Sequence, residues 1–177
     1  LELLVGAFAR TVGQRPDWTL VLVGEGPLDR RLRIAAERQG VGASVHVIDR
    51  LELDDLAGLM AAGTLFAAPD EGDGSSGTQV MRALATGLPV LVSDRPRLAH
   101  LVRDGVEGRI VRSGDPFSWR DALLAAASAP DARARWARAA RLRAEERHAW
   151  PRVAARLLDL LAELDVPATH AASRSAS

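Results

Sequence analysis

The sequence contains no cysteine and no lysine. Without cysteine there is no disulfide, no thiolate nucleophile and no zinc–thiolate centre, and cysteine usage gives no sign of redox compartment. With lysine absent, every basic residue other than histidine is arginine. Alongside abundant alanine, that reads as the codon habit of a GC-rich genome rather than as selection for guanidinium chemistry. An excess of one charge is missing too: 23 basic residues balance 23 acidic ones. No net field therefore favours nucleic acid or an acidic membrane surface. No run of about 18 apolar residues provides a membrane-spanning helix. The opening stretch LELLVGAFAR has neither an initiator methionine nor a signal-peptide layout, and is expected to have been cut from something longer.

What is present is 177 residues, 47% hydrophobic and 26% charged, enough for one domain with a short appendage. The opening stretch reads as an amphipathic helix, with Leu1, Leu4, Val5 and Phe8 on one face. Short apolar runs then alternate with helical patterns. Strands are expected over 18–24, 44–49, 64–69, 88–93 and 108–111. Helices are expected over 29–39, 53–63, 78–86 and 98–103. The helix over 53–63 carries Leu53, Leu56, Ala57 and Met60 on one face, and that over 78–86 turns Val80, Met81 and Leu84 to the core. Such alternation implies βαβ units, hence an α/β fold with a Rossmann-like parallel sheet and helices on both faces.

From Pro116 onward the pattern is helical only, over 117–127, 131–147 and 151–164. In the last helix Val153, Leu157, Leu160, Leu161 and Leu164 form an apolar face that needs a packing partner. The arginine-rich helix over 131–147 has one interleaved aromatic, Trp136, and acidic residues as well, so it reads as a solvated face rather than a nucleic-acid surface. The tail over 165–177 is small and polar and is expected to be disordered. There is no internal repeat.

Ligands of open α/β sheets gather at the carboxyl ends of strands, and three loops fit that position: 24–27 (GEGP), 49–53 (DRLEL) and 70–78 (DEGDGSSGT). In the third, glycines let backbone N–H groups approach an anion, and the helix that follows adds the positive end of its dipole. Its two readings are a diphosphate cradle and an ordinary loop capped by Ser76 or Thr78. Gly24 and Gly26 either bring backbone close to a ligand or simply turn the chain. Arg82, four residues after Thr78 and directed away from the core, is either an anion clamp or a solvated arginine. His46 and His100 have no ligand-like spacing, so no metal site is expected.

The order of these motifs is similar to that in the C-terminal half of GT-B glycosyltransferases, family four in particular (glycosyl transferases group 1). The resemblance runs over about 1–164 and rests on LVLVGEGPLDRRLRIAAERQGVGASVHVID, LDDLAGLMAAGTLFAAP, ALATGLPVLVSD, LVRDGVEGRIV and GDPFSWRDALLAAASAPDARARWARAAR. It implies the donor-binding domain of a retaining enzyme, with the family's first strand missing and the acceptor-binding N-terminal domain absent. The donor would be a nucleotide-diphosphate sugar, with no metal and no other cofactor. A cytoplasmic location is implied, with peripheral membrane association only through the missing domain. The alternative is a degenerate, non-catalytic domain that binds or scaffolds.

Carried over position by position, Gly24 and Gly26 resemble the family's glycines beside the nucleotide, and Arg50 and Leu51 fall where backbone meets the base. Gly74, Gly77 and Thr78 fall at the phosphate-receiving loop and helix start. The family's paired glutamates, which frame this loop and helix, are not matched. Arg82 stands in place of the second, which binds the ribose hydroxyls in the family. Asp73 lies one residue too far from Arg82 to replace the first, and Glu71 is placed worse. Arg82 and Asp73 are thus the candidates for catalytic positions. An arginine offers donors only, whereas a ribose diol prefers a carboxylate acceptor.

Overall fold

A computed structural model describes residues 1–69 and 76–163. The helix expected at the start is α1 (Glu2–Val12), which buries Leu4, Val5, Ala7, Phe8 and Thr11. The apolar runs become short parallel strands, β1 (Leu20–Val23), β2 (Val45–Ile48), β3 (Phe66–Ala68), β4 (Val90–Ser93) and β5 (Gly108–Val111). In register, Leu20 faces Val45 and Val23 faces Ile48, while Val90 faces both Phe66 and Gly108. The single sheet expected from the sequence is found as two, β1–β2 and β3–β4–β5. All four residues of β4 are buried, as a strand covered on both faces requires.

Helices cover both faces. On one side, α1, α2 (Asp29–Arg38) and α6 (Pro116–Ala127) enclose a core that includes Phe8, Leu22, Leu32, Val47, Leu91, Val111 and Trp119. That core draws on both sheets. On the other side, α3 (Leu53–Ala62), α4 (Ser76–Ala85), α5 (Pro96–Ala99) and α7 (Pro130–Arg147) contribute to a core with Met60, Val80, Leu84, Val90, Val92, Leu98 and Ala140. The last described helix is α8 (Trp150–Glu163). A single turn of 3-10 helix over Gly42–Ser44 precedes β2, which the sequence pattern did not predict.

Several expectations are corrected. The fourth helix begins at Ser76, two residues before Thr78, so Gly77 lies in its first turn. The short helix expected over 98–103 instead spans Pro96–Ala99, because Pro96 has the φ of a first helical position and needs no donor there. On α3 the apolar stripe is not covered as a unit: Met60 is buried, but Leu53 is 62% exposed. The stripe of α8 has no cover among the described residues, with Leu157 56% and Trp150 82% exposed. Leu164 and the tail lie outside the described residues.

The arginines of α7 are not a uniformly solvated face. Arg143 donates to the carbonyls of Leu101 at 2.7 Å and His100 at 3.2 Å. Arg133 donates to Ala126 and, at 2.8 Å, to Ala127, while Arg141 reaches Ala85. Ala85, Ala126 and Ala127 are in the last turns of α4 and α6, whose carbonyls have no intrahelical donor. Trp136 Nε1–H donates to Gly105 O at 2.9 Å, fixing α7 to the turn before β5.

His148, just beyond α7, has a buried Nε2 with no partner among the described residues. Burial first, and then Arg143, Arg147, His100 and Arg156, hold its pKa below the usual histidine value. A histidine that resists protonation only when folded contributes stability that is complete above its unfolded pKa, about 6.5, and falls away as the pH drops through it. The unfolding midpoint is therefore expected to fall more steeply between pH 7 and pH 5 for the native chain than for His148→Asn, followed by circular dichroism.

Candidate functional site

The crossovers locate the site. From β1 to β2 the chain passes through α2 on one face, and from β3 to β4 through α4 on the other. Right-handed crossovers on opposite faces carry the strand order outward in opposite directions, so it reverses between β1 and β3. A crevice at the carboxyl ends of the strands forms at such a reversal. The loop after β1 and the start of α4 after β3 flank it.

Gly24 follows β1 with φ +151°, and its N–H donates to Ile48 O at 3.1 Å, extending the ladder by one residue. This ties the loop with Gly24 and Gly26 to the end of β2, where Arg50 and Leu51 follow. A Cβ added at Gly24 or Gly26 would meet nothing within 4 Å, so the backbone there lies bare to an approaching group. Arg50 is exposed and Leu51 half-buried. Among the described residues the Arg50 guanidinium has no hydrogen-bond partner.

On the other side of the crevice, Gly77 and Thr78 are in the first turn of α4, with Thr78 exposed. A Cβ at Gly77 would come no nearer than 3.9 Å to Leu101 Cδ1. N–H groups in the first turn of a helix lack intrahelical acceptors, and with the helix dipole they make such a turn able to receive an anion. Asp73 and Gly74 lie outside the described residues, as does Glu71.

Arg82, which the helical spacing turns away from the core, lies on the side of α4 that meets α3. It is half-buried and lines a groove of about 240 Å³ between α3 and α4 with Leu53, Leu56, Ala57, Met60, Ala85 and Thr86. Five residues of rise put its Cα roughly 7–8 Å along the axis from Gly77. Its guanidinium donates to Gln79 Oε1 at 3.3 Å, so it is drawn back toward the first turn of the helix. The sequence reading missed this groove, although the apolar stripe of α3 was visible. At the end of β4, Asp94 accepts from Ser113 N–H at 2.9 Å, and its bonding to Ser113 holds its carboxyl below the usual range. Among the described residues no group of three or more histidines or carboxylates is placed to hold a metal. No described helix is long and apolar enough to cross a membrane.

Residues 1–128 match the family model of glycosyl transferases group 1. The chain belongs to that family. It is 32% identical over 144 residues to a phosphatidyl-myo-inositol mannosyltransferase of Mycobacterium leprae, covering 80% of this chain and 37% of that protein. The chain thus spans well under half the length of that curated relative. Its fold matches the C-terminal domain of a glycosyl transferase group 1 family protein from Francisella tularensis, with a TM-score of 0.75 at 18% identity over 83% of this chain and 78% of that one. It also matches the Anabaena protein Alr3699/HepE solved with UDP and glucose, with a TM-score of 0.77 at 22% identity over 91% of this chain and 44% of that one. The group 1 chain is therefore a partial, C-terminal domain of GT-B architecture.

Proposed function

We propose that this domain is the donor-binding half of a retaining glycosyltransferase that takes a sugar from a nucleotide-diphosphate sugar. In this reading the acceptor is held by an N-terminal domain outside this chain. The observation that carries the proposal is the pair of bare backbone segments, Gly24 to Gly26 and the first turn of α4, on either side of the strand-order reversal. Gly77 and Thr78 would receive the diphosphate through backbone N–H groups. Negative charge grows on a diphosphate as it leaves, and donors fixed in advance stabilise that charge more than they stabilise the ground state. Arg50 and Leu51 would border the base. Arg82, leaning back toward the first turn, would add a cation on the diphosphate side of the ribose. UDP in the Anabaena neighbour supports a nucleoside diphosphate as the ligand class.

A second reading, a domain that keeps the fold without turning over donor, is favoured by Arg82 itself. By the resemblance it stands where the family has its ribose-binding glutamate, and it lines a groove with Leu53, Leu56, Ala57 and Met60 of α3.

Calorimetric titration with UDP, GDP and ADP and their sugar conjugates, beside Arg82→Glu, separates the two. Saturable binding of one nucleotide that weakens about tenfold or more in Arg82→Glu, near 1.4 kcal/mol, is the expected result for a donor site built around arginine. Binding that appears only in Arg82→Glu would support the non-catalytic reading.

A further inference from the structure

The half-buried arginines among the described residues are Arg15, Arg82, Arg120, Arg133 and Arg143. Taking a guanidinium partly out of water is costly unless its N–H groups meet strong acceptors. All but one do so. Arg15 donates to the Asp17 carboxylate at 2.8 Å, and Arg120 to that of Asp121 at 2.6 Å. Arg133 and Arg143 donate to backbone carbonyls, Ala127 O at 2.8 Å and Leu101 O at 2.7 Å. Arg82 has only the neutral amide oxygen of Gln79, at 3.3 Å, longer than a well-formed N–H···O bond. Among the described residues it makes no ion pair. Most of its N–H donors are left over.

The place of Arg82 in the fold says which ligand atoms come near it. The groove it lines includes Leu53, which opens α3 directly after the loop that carries Arg50 and Leu51. The groove therefore joins the end of β2 to the flank of α4, with Gly77 in the first turn roughly 7–8 Å along the axis from Arg82. When a base borders Arg50 and Leu51 and a diphosphate meets the first turn of α4, the ribose between them passes the mouth of this groove. No carboxylate lines it. Glu52, Asp54 and Asp55 are close in sequence but exposed, where water and salt screen their charge. Thr86, the other polar wall, donates its hydroxyl proton to Ala83 O at 2.9 Å. The strong polar group offered to the ribose is thus a cation with donors only.

A free ribose diol is matched by a carboxylate, which accepts from both hydroxyls. A guanidinium is matched by phosphate oxygens, which it holds through two parallel bonds. Parallel sheets that bind dinucleotides use this contrast, an acid for the free 2′-hydroxyl and an arginine for the 2′-phosphate. We propose that the nucleotide preferred by this crevice carries a phosphate on its ribose, at O2′ or O3′, and that Arg82 is the residue that selects it. The inference rests on the reading of the crevice as a nucleotide site and names the class of nucleotide. Because Gln79 turns the guanidinium toward the first turn of α4, the ribose phosphate and the diphosphate share one positive region.

Calorimetric titration tests it with matched ligands. These are UDP, GDP and ADP, and the same nucleotides phosphorylated at O2′ or at O3′, on the native chain, Arg82→Gln, Arg82→Lys and Arg50→Gln. For the base that binds, a ribose phosphate is expected to tighten binding to the native chain about tenfold or more, as a charge-assisted pair does. The gain is expected to vanish in Arg82→Gln, to return in part in Arg82→Lys, and to persist in Arg50→Gln. Equal affinity of matched nucleotides for the native chain, or a gain that survives in Arg82→Gln, overturns this inference and leaves nucleotide binding standing. No binding of any nucleotide, with or without a ribose phosphate, overturns it together with the reading it rests on.

Discussion

Gly108→Ala is expected to abolish the folded domain at 25 °C. A Cβ at this position would lie 1.7 Å from Val90 O and 2.8 Å from Val90 N. Both atoms are backbone of β4, which is buried throughout, so no flexible side chain can swing aside to make room. The strands would have to separate where Val90 faces Gly108, breaking the ladder that carries Val90, Val92 and Val111 into the two cores. A cost above about 4 kcal/mol consumes most of the stability of a domain at the lower end of the typical range, about 5 kcal/mol. Urea unfolding followed by far-ultraviolet circular dichroism checks it. Gly105→Ala is the comparison. Its φ of +75° strains a side chain, but the added Cβ meets nothing within 4 Å, so it is expected to cost only about 1 kcal/mol. Near-native stability of Gly108→Ala would mean that β4 and β5 do not pair in this register.

Arg103→Leu, in the same turn, is expected to cost about 3 kcal/mol at pH 7. Glu107 is fully buried, and it accepts from Arg103 N–H at 2.7 Å, from Nε–H at 2.8 Å and from a second guanidinium nitrogen. Removing the guanidinium leaves a buried carboxylate with one backbone donor. The stranded charge is then disfavoured. Arg103→Leu combined with Glu107→Leu is expected to recover most of the loss, because neither charge is then stranded. Urea midpoints for the native chain, both single variants and the double variant complete the cycle. A double variant no more stable than Arg103→Leu alone would contradict the account.

Much of the fold was legible because its signals are local. Apolar runs such as Leu20–Val23 and Val90–Ser93, separated by helical patterns with Gly or Pro at their ends, identify strands and crossovers without knowledge of what they touch. What was not legible depends on partners distant in sequence. The stripe of α3 reads as a core face, yet Leu53 is exposed because nothing described lies across it, and the stripe of α8 is bare for the same reason. Periodicity reports that a face is apolar and is silent on its cover. The arginines of α7 looked like solvated charge because nothing near them in sequence marks the last turns of α4 and α6 as their acceptors. Glu107 sits in a turn motif, where a buried, fully paired carboxylate gives no local signal.

The site divides in the same way. Gly24, Gly26, Gly77 and Thr78 could be named from strand-end loops and a helix start. The helical spacing turned Arg82 away from the core but could not show that its groove belongs jointly to α3. The division into two sheets emerged only from the pairing of strands, and the strand-order reversal between β1 and β3 only from the opposite faces that α2 and α4 cover.

The central claim is that the bare backbone at the carboxyl ends of β1 and β3 holds a nucleoside diphosphate. The most direct measurement is calorimetric titration of the chain and of Gly26→Val and Gly77→Val with UDP, GDP and ADP. A Cβ meets nothing at Gly26, and only a 3.9 Å contact at Gly77. Both variants should therefore keep the native unfolding midpoint within the usual spread of surface substitutions, about 0.5 kcal/mol. The account predicts saturable binding of one nucleotide to the native chain, weakened at least tenfold in each variant. Equal affinity in all three proteins, or no binding to any of them, would contradict it.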